Sequence, residues 1–304
     1  MTPLSARGRA AATAALSSVL LLSACGAGGS GKNEADLHDQ LPEAVQKAGV
    51  IRIGASLTAA PVVFRGSAGQ PDGLDPDLAT AMAKVLGVKL EFQDVGPFSN
   101  VLPGLLDKKY DIAMSGITDN LNRRQGLDKN GKQINDGVDF VDYYMAGIGI
   151  MVGKGNPAKI AKVDDLCGHG VTVKKGTTHN DLAQRQKSVC DQLGKPLQVL
   201  ETADDAAAMD NLRAGRADAY VTDYPKALYN SQAVAGGQAF DIAGPQLQPK
   251  PYGIAVRKSD SRLRDVLAKA MRRVVADGTY DEILTRRQLT VGAIQSPVVN
   301  GGTS

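Results

Sequence analysis

Residues 110–124 read Tyr-Asp-Ile-Ala-Met-Ser-Gly-Ile-Thr-Asp-Asn-Leu-Asn-Arg-Arg (YDIAMSGITDNLNRR). The apolar run Tyr110–Met114 has the length and composition of a buried strand, and Ser115-Gly116 is a small-residue turn directly after it. Arg123 and Arg124 therefore stand just past the carboxyl end of a strand. In helix-covered parallel sheets ligands gather at that end, so the surroundings of this stretch decide both the fold class and the use of the arginines.

Working outward, strand and helix alternate. Val50–Gly54 reads as a strand. In the helix that follows, Leu74–Gly87, Asp75 is placed to cap, Pro76 fits the first helical position, Leu78, Met82, Val85 and Leu86 share a face, and Gly87 terminates. Lys89–Asp94 alternates as a strand, and a helix from Ser99 carries Leu102, Leu105 and Leu106, with Pro103 in its first turn. The pattern returns as strand Gly170–Val173, helix Asn180–Val189, strand Leu197–Leu200, helix Ala203–Leu212 and strand Asp218–Val221. Helices at Arg262–Val275 and Tyr280–Thr285 close the chain, before an aperiodic tail at 291–304 expected to be extended or mobile. Such alternation predicts an α/β fold with parallel sheets covered by helices. At 304 residues with 43% hydrophobic content, two compact domains are expected.

Composition narrows the function. Net charge is +3, from 35 basic and 32 acidic residues interspersed along the chain, with no Trp and 4% aromatics. That leaves neither a basic footprint nor stacking platforms for nucleic acid. Arg7 and Arg9 precede an apolar segment, Ala10–Leu22, which is too short to span a bilayer and suits a signal-peptide core, so the chain is read as exported. The segment closes on Leu22-Ser23-Ala24-Cys25, which resembles the lipobox of bacterial lipoproteins. The resemblance implies a signal peptide at 1–24, a lipid on Cys25 and anchoring on the outer face of the cytoplasmic membrane. An ordinary secretory signal with a chance cysteine is the alternative. Residues 25–40 then comprise the lipidated Cys and a flexible tether.

The other cysteines, Cys167 and Cys190, suggest a disulfide in an exported chain, with two free thiols as the alternative. No His or Cys stands at a zinc-like spacing from both, and neither a metal nor a cofactor is expected. His169 and His179 are expected to be solvent-facing loop or helix-start residues rather than ligands.

Chemistry concentrates where strands end. Arg123 or Arg124 can offer a bidentate fork to a carboxylate. Lys174-Lys175-Gly176-Thr177-Thr178-His179-Asn180 joins a strand to a helix, where backbone N–H groups and the hydroxyls of Thr177 and Thr178 form an anion cradle. Asp223 follows the strand ending at Val221. A fork for a carboxylate and an acid for an ammonium together describe an α-amino acid.

The runs GLDPDLATAMAKVLG, FSNVLPGLLDKKYDIAMSGITDNLNRR, VDFVDYY, VKKGTT, RAGRADAYVTDYP and PYGIAVRKSDSRLRDVLAKAMRRVVADGTYDEIL resemble the polar amino-acid class of extracellular solute-binding proteins of ABC importers, over about Ala48–Leu284. The resemblance implies a periplasmic-binding-protein type II fold, two Rossmann-like lobes joined by a two-strand hinge. Lobe 1 would comprise 41–146 and 253–304, and lobe 2 would comprise 147–252, with crossings near Met145–Gly149 and Pro249–Gly253. By the same resemblance Arg123 holds the ligand carboxylate, beside Gly116 and Thr118, with Thr178 adding a backbone N–H. Asp223 receives the ammonium, and Lys174 and Phe98 line the ligand side chain. Arg124 would be an exposed neighbour of the anchor.

Two departures stand out: Ser56 and Ala59 occupy places where many relatives carry an acid and a cleft aromatic. The polar loop 125–137 is also longer than the family pattern and reads as a surface excursion that either extends the cleft rim or has no role, the latter favoured. The implied function is capture of an amino acid, such as glutamate, glutamine or aspartate, by hinge closure, and delivery by a monomeric receptor to a membrane permease. A signalling receptor would need the same cleft. A dehydratase-like enzyme on this fold would need a general acid or base beyond Lys174 and the anchors.

Overall fold

The computed structural model describes residues 36–128 and 130–303, so the expected signal peptide and Cys25 lie outside the described residues. The main sheet has eight strands: β1 (Val50–Ala55), β2 (Lys89–Asp94), β3 (Ile112–Ala113), β4 (Val138–Gly153), β5 (Gly170–Lys174), β6 (Gln198–Thr202), β7 (Ala219–Asp223) and β8 (Phe240–Arg257). Their order across the sheet is β2-β1-β3-β8-β4-β7-β5-β6. β1 is parallel to β2 and β3, and β5 is parallel to β6 and β7, so each side is a small parallel unit of the predicted kind. The long antiparallel pair β4 and β8 runs between the units. Its ladder slips between Ala243 and Leu247, again before Lys250, and between Tyr252 and Gly253. This mixed α/β architecture is the two-lobed periplasmic-binding-protein fold, and the carboxyl ends of both parallel units face one cleft.

Each lobe has its own core. In the first, α1 (Leu74–Leu86) buries Leu74, Leu78, Met82 and Leu86 against the sheet, beside α7 (Ser261–Ala276) and α8 (Thr279–Arg287). In the second, Ile150, Val171, Val173 and Val221 pack with Leu166, Ala183 and Leu197. Further helices are α2 (Val101–Leu106), α3 (Leu121–Gln125), α4 (Thr178–Gln192), α5 (Asp205–Arg213) and α6 (Tyr224–Ala233). Cys167 and Cys190 form a disulfide across a sequence separation of 23, tying the approach to β5 onto the last turn of α4.

Several local readings change. Asp75 does not cap α1, because Gly73 takes that place at φ 122°, where a Cβ would collide with the Val62 carbonyl. Asp75 is instead buried, accepting hydrogen bonds from the Tyr143 hydroxyl at 2.7 Å and the Gly116 N–H at 3.0 Å, and burial pushes its pKa up to about 7. The end of the expected tether is folded: Leu37–Gln40 is a helical turn with Leu37 buried, and the Gln40 carbonyl accepts from Arg262 Nε at 2.8 Å.

The tail is extended and docked. The Asp142 N–H donates to the Val298 carbonyl at 2.9 Å, and the Asn300 N–H donates to the Phe140 carbonyl at 3.1 Å. Arg124, expected to be exposed, is directed at this tail: its Nη1 donates to the Asn300 carbonyl at 2.7 Å, and its Nε pairs with the fully buried Asp119 at 3.1 Å.

Asp142 accepts from the Gly301 N–H at 2.8 Å beneath the tail. Burial, then the neighbouring Asp119 carboxylate, push its pKa up to about 7. A carboxyl group raised in this way costs the fold stability only while ionised. The cost is absent below about pH 4, grows towards pH 7 and is constant above it. Asp142→Asn keeps an oxygen for the Gly301 N–H, and is expected to raise the melting temperature at pH 8 while leaving it unchanged at pH 4. A gain of about 2–4 °C per kcal/mol is the scale for a domain of this size; equal shifts at both pH values would show that charge is not the cause.

Candidate functional site

On the first lobe the site is built by the loop that leaves β3. Ser115 Oγ accepts from the Ser56 N–H at 3.1 Å, and Gly116 turns at φ 56°, so its N–H reaches Asp75. Asn120 then caps α3, its side chain accepting from the Arg123 N–H at 2.9 Å. This cap aims Arg123 across the cleft. Its Nη1 donates to the Thr118 carbonyl at 2.8 Å, its Nη2 reaches the Gly176 carbonyl of the second lobe at 3.4 Å, and its guanidinium lies 5.6 Å from the Phe98 ring centroid. Burial lowers its pKa, against the pull of Asp181 and Asp223. Among the described residues no carboxylate lies within ion-pair distance of Arg123.

On the second lobe the strand ends carry a chain of buried charges. Lys174 closes β5, and its Nζ meets Asp205 Oδ2 at 2.5 Å, while the Tyr220 hydroxyl donates to Asp205 Oδ1 at 2.5 Å. Asp223 closes β7 and pairs with Lys226 at 2.7 Å and with His179 Nε2 at 3.3 Å. Lys226 also lies 3.8 Å from Asp205. Burial would raise the Asp223 pKa, but Lys226 and His179 outweigh it and hold the group well below the usual carboxylate range. Lys226 is raised in turn, because Asp205 and Asp223 overcome its desolvation, whereas desolvation lowers Lys174 despite Asp205. Thr177 caps α4, its hydroxyl accepting from the Asn180 N–H at 3.1 Å, which leaves Thr178 at the start of a 15-residue helix facing the cleft.

These elements enclose a cavity of about 270 Å³, lined by Thr118, Asn120, Thr178, His179 and Asp223, together with Asp181, Arg185 and Lys250. Arg185 and Lys250 make no ion pair among the described residues. A second, more apolar cavity of about 230 Å³ lies beside Arg123 and includes Phe98, Leu102, Leu127 and Ile134. The long loop 125–137, expected to be idle, thus supplies part of a cavity wall.

The structure does not gather all the expected site residues at one surface. Thr118, Thr178 and Asp223 line the first cavity, Arg123 and Phe98 line the second, and Asn122 touches both. Ser56, Gly116 and Thr177 are buried behind the surface, and Lys174, 3% exposed, is tied to Asp205. Its ammonium still lies 5.2 Å from the Phe98 ring centroid, a contact between the lobes. His179 is not the solvent-facing residue expected, since it is buried against Asp223. Sequence reading missed Lys226, although a helix beginning at Tyr224-Pro225 places residue i+3 back on Asp223. It missed Asp205 entirely, because that carboxylate meets Lys174 only through the parallel pairing of β5 and β6. Among the described residues no cluster of metal-binding side chains occurs and no helix is long and apolar enough to cross a membrane.

Two lobes with facing strand ends, an unpaired guanidinium on one and a held carboxylate on the other, define a solute-binding protein. The model of the bacterial extracellular solute-binding proteins, family 3, matches residues 51–286, and the chain belongs to that family. It is 29% identical over 269 residues to the arginine-binding protein ArgT of Corynebacterium glutamicum, a match covering 87% of this chain and 83% of that one. An ancestral arginine-binding protein solved with arginine is 36% identical, with a TM-score of 0.66 over 78% of this chain and 97% of that one. The ancestral amino acid-binding protein AncCDT-1, a precursor of cyclohexadienyl dehydratase, is 32% identical, with a TM-score of 0.68 over 80% and 97%.

The buried ions set a stability prediction. Asp205→Asn leaves the Lys174 ammonium without its carboxylate and is expected to cost about 3–5 kcal/mol in urea unfolding. Replacing both, as Lys174→Met with Asp205→Leu, is expected to cost less than the single change. A double variant no more stable than the single one would show that the pair is held by packing rather than by charge balance.

Proposed function

We propose that this protein is the receptor of an ABC importer and captures an amino acid with an acidic or amide side chain. The observation that carries this reading is the charge of the cleft. Arg123 is half-buried with only carbonyl partners, so a carboxylate supplied by a ligand completes it. Thr178, at the amino end of α4, offers its N–H to the same group. Asp223 accepts the ligand ammonium with the lone pairs that Lys226 and His179 leave free. Arg185 and Lys250 then favour an acceptor or an anion at the far end, which supports glutamate, aspartate or glutamine over the arginine named for the relatives.

Closure follows from where the partners sit. Arg123 and Phe98 belong to one lobe and Gly176, Thr178 and Asp223 to the other, so a ligand has all its partners only when the lobes meet. In the closed molecule the ligand carboxylate replaces the Gly176 carbonyl as the partner of Arg123. We read the protein as a receptor rather than an enzyme, since Asp223, the acid that closes β7 in the cleft, is already engaged by Lys226 and His179. The closed form would dock on a permease, with a lipid on Cys25 holding the monomeric receptor at the outer face of the membrane and raising its local concentration there. The nearest alternative, a receptor that signals instead of feeding transport, would bind the same ligand.

The test is thermal melting of the chain from Gly26 onward against a panel of amino acids, beside Arg123→Ala. A ligand at a hundredfold over its Kd adds about 2.7 kcal/mol. Glutamate, aspartate or glutamine should shift the melt, and Arg123→Ala should abolish the shift. A shift with arginine alone would overturn the side-chain class, and no shift with any amino acid would overturn the receptor reading.

A further inference from the structure

The helix that carries Arg123 is weakly built. α3 has five residues and buries none of them, and a helix so short has no stability of its own in water. Its amino end is held by the Asn120 cap. Its carboxyl end stops at Gly126, φ 68°, whose carbonyl accepts from the Ile134 N–H at 2.8 Å in the long loop. The side chain that ties it to the C-terminal tail is Arg124, the next residue after the anchor.

Arg124 is spent on the tail. Nη1 donates to the Asn300 carbonyl at 2.7 Å, Nη2 donates to the Gly302 carbonyl, and Nε faces Asp119 at 3.1 Å. Asp119 accepts in return from the Gly302 N–H at 2.7 Å. It stands between Thr118, whose carbonyl receives Arg123, and Asn120, whose side chain caps the helix. The tail is itself fastened to β4: the Asn300 side chain accepts from the Phe140 N–H at 2.8 Å and donates to Asp139 at 3.0 Å. Asn300 turns at φ 57°, a conformation Asn tolerates better than most residues. At Gly302 a Cβ would collide with the Asp119 carbonyl, so the close approach needs glycine. The tail residues, 298–302, lie beyond residue 286, where the match to the family model ends, while their partners lie within it.

We infer that the C-terminal segment, residues 298–302, is a strap that positions the carboxylate anchor, with Arg124 and Asp119 as positioning residues for Arg123. The strap joins α3 and its preceding loop to β4, the strand that crosses between the lobes. An anchor must be held to within a fraction of an ångström to keep a two-pronged bond to a carboxylate. Here that precision comes from a tail paired to the backbone of a core strand. The inference rests on the receptor reading for its ligand, and on the geometry alone for the state of α3.

Two full-length variants test it, Arg124→Gln and Gly302→Val, neither of which alters a residue assigned to the ligand. The first measurement is hydrogen exchange at the amides of Asp142, Asn300 and Arg123. Faster exchange at all three is expected, the last because the Asn120 cap loosens. The second is the Kd for L-glutamate, L-aspartate, L-glutamine and L-arginine, each beside its α-carboxamide. Binding of the free acid is expected to weaken roughly tenfold, about 1.4 kcal/mol, while that of the amide stays unchanged, so the preference for acid over amide shrinks.

An equal loss for acid and amide would reduce the strap to a general structural element and overturn the inference. So would a released tail with unchanged preference, or slow exchange at Asp142 and Asn300 in both variants. If the wild-type protein binds none of these compounds, the receptor reading fails separately. The Arg123 amide then decides the strap: unchanged exchange there with a released tail overturns it.

Discussion

Two lysines and two aspartates, all nearly removed from water, hold the second lobe's side of the cleft. Lys174 ends β5, Asp205 opens the helix after β6, and Asp223 ends β7, with Lys226 one turn further on. Charges so deeply buried persist only when each is matched. The matching therefore ties together three separate strand ends and fixes the distance between them. Asp223 faces the cleft as one member of a neutral set, and the ammonium-accepting role proposed for it depends on that set remaining whole.

The first lobe is organised in the opposite sense. Its guanidinium has carbonyls for partners, and its pKa is lowered by burial. The four buried charges of the second lobe are thus matched, while the guanidinium of Arg123 has only carbonyl partners. In the receptor proposed above, that asymmetry would make closure wait on a ligand. A carboxylate between Arg123 and the amino end of α4 joins the walls, whereas the Gly176 carbonyl at 3.4 Å is a poor substitute. Arg124, adjacent in sequence, has the reverse fate, because it is bound to a buried acid and to the tail.

Legibility in the sequence followed the range of the interaction. Helix α1 could be read because its apolar face recurs within a few residues, and the parallel units because strand and helix alternate at short intervals. Asp75 was misread for the same reason: a carboxylate at a helix start looks like a cap, and only the fold brings Tyr143 and Gly116 to it. His179, at a helix start, looked exposed because nothing near it in sequence shows that Asp223 will cover it. The loop 125–137 looked idle because its apolar side chains are few and become a wall only opposite Phe98.

The sequence by itself determined the class of the fold and the positions of the groups proposed to hold an amino acid: Arg123 past one strand, Thr178 at a helix start, Asp223 past another. These depend on periodicity, turn chemistry and the charge of single side chains, all of which act over a few residues. Tertiary structure decided which charges are free. Lys174 and Arg124 each offer a cation in the sequence, yet the fold sets a buried carboxylate against each, Asp205 and Asp119, and leaves Arg123, Arg185 and Lys250 without one among the described residues. A charge is available to a ligand only if no other charge reaches it first, and that is settled by distances between segments far apart along the chain.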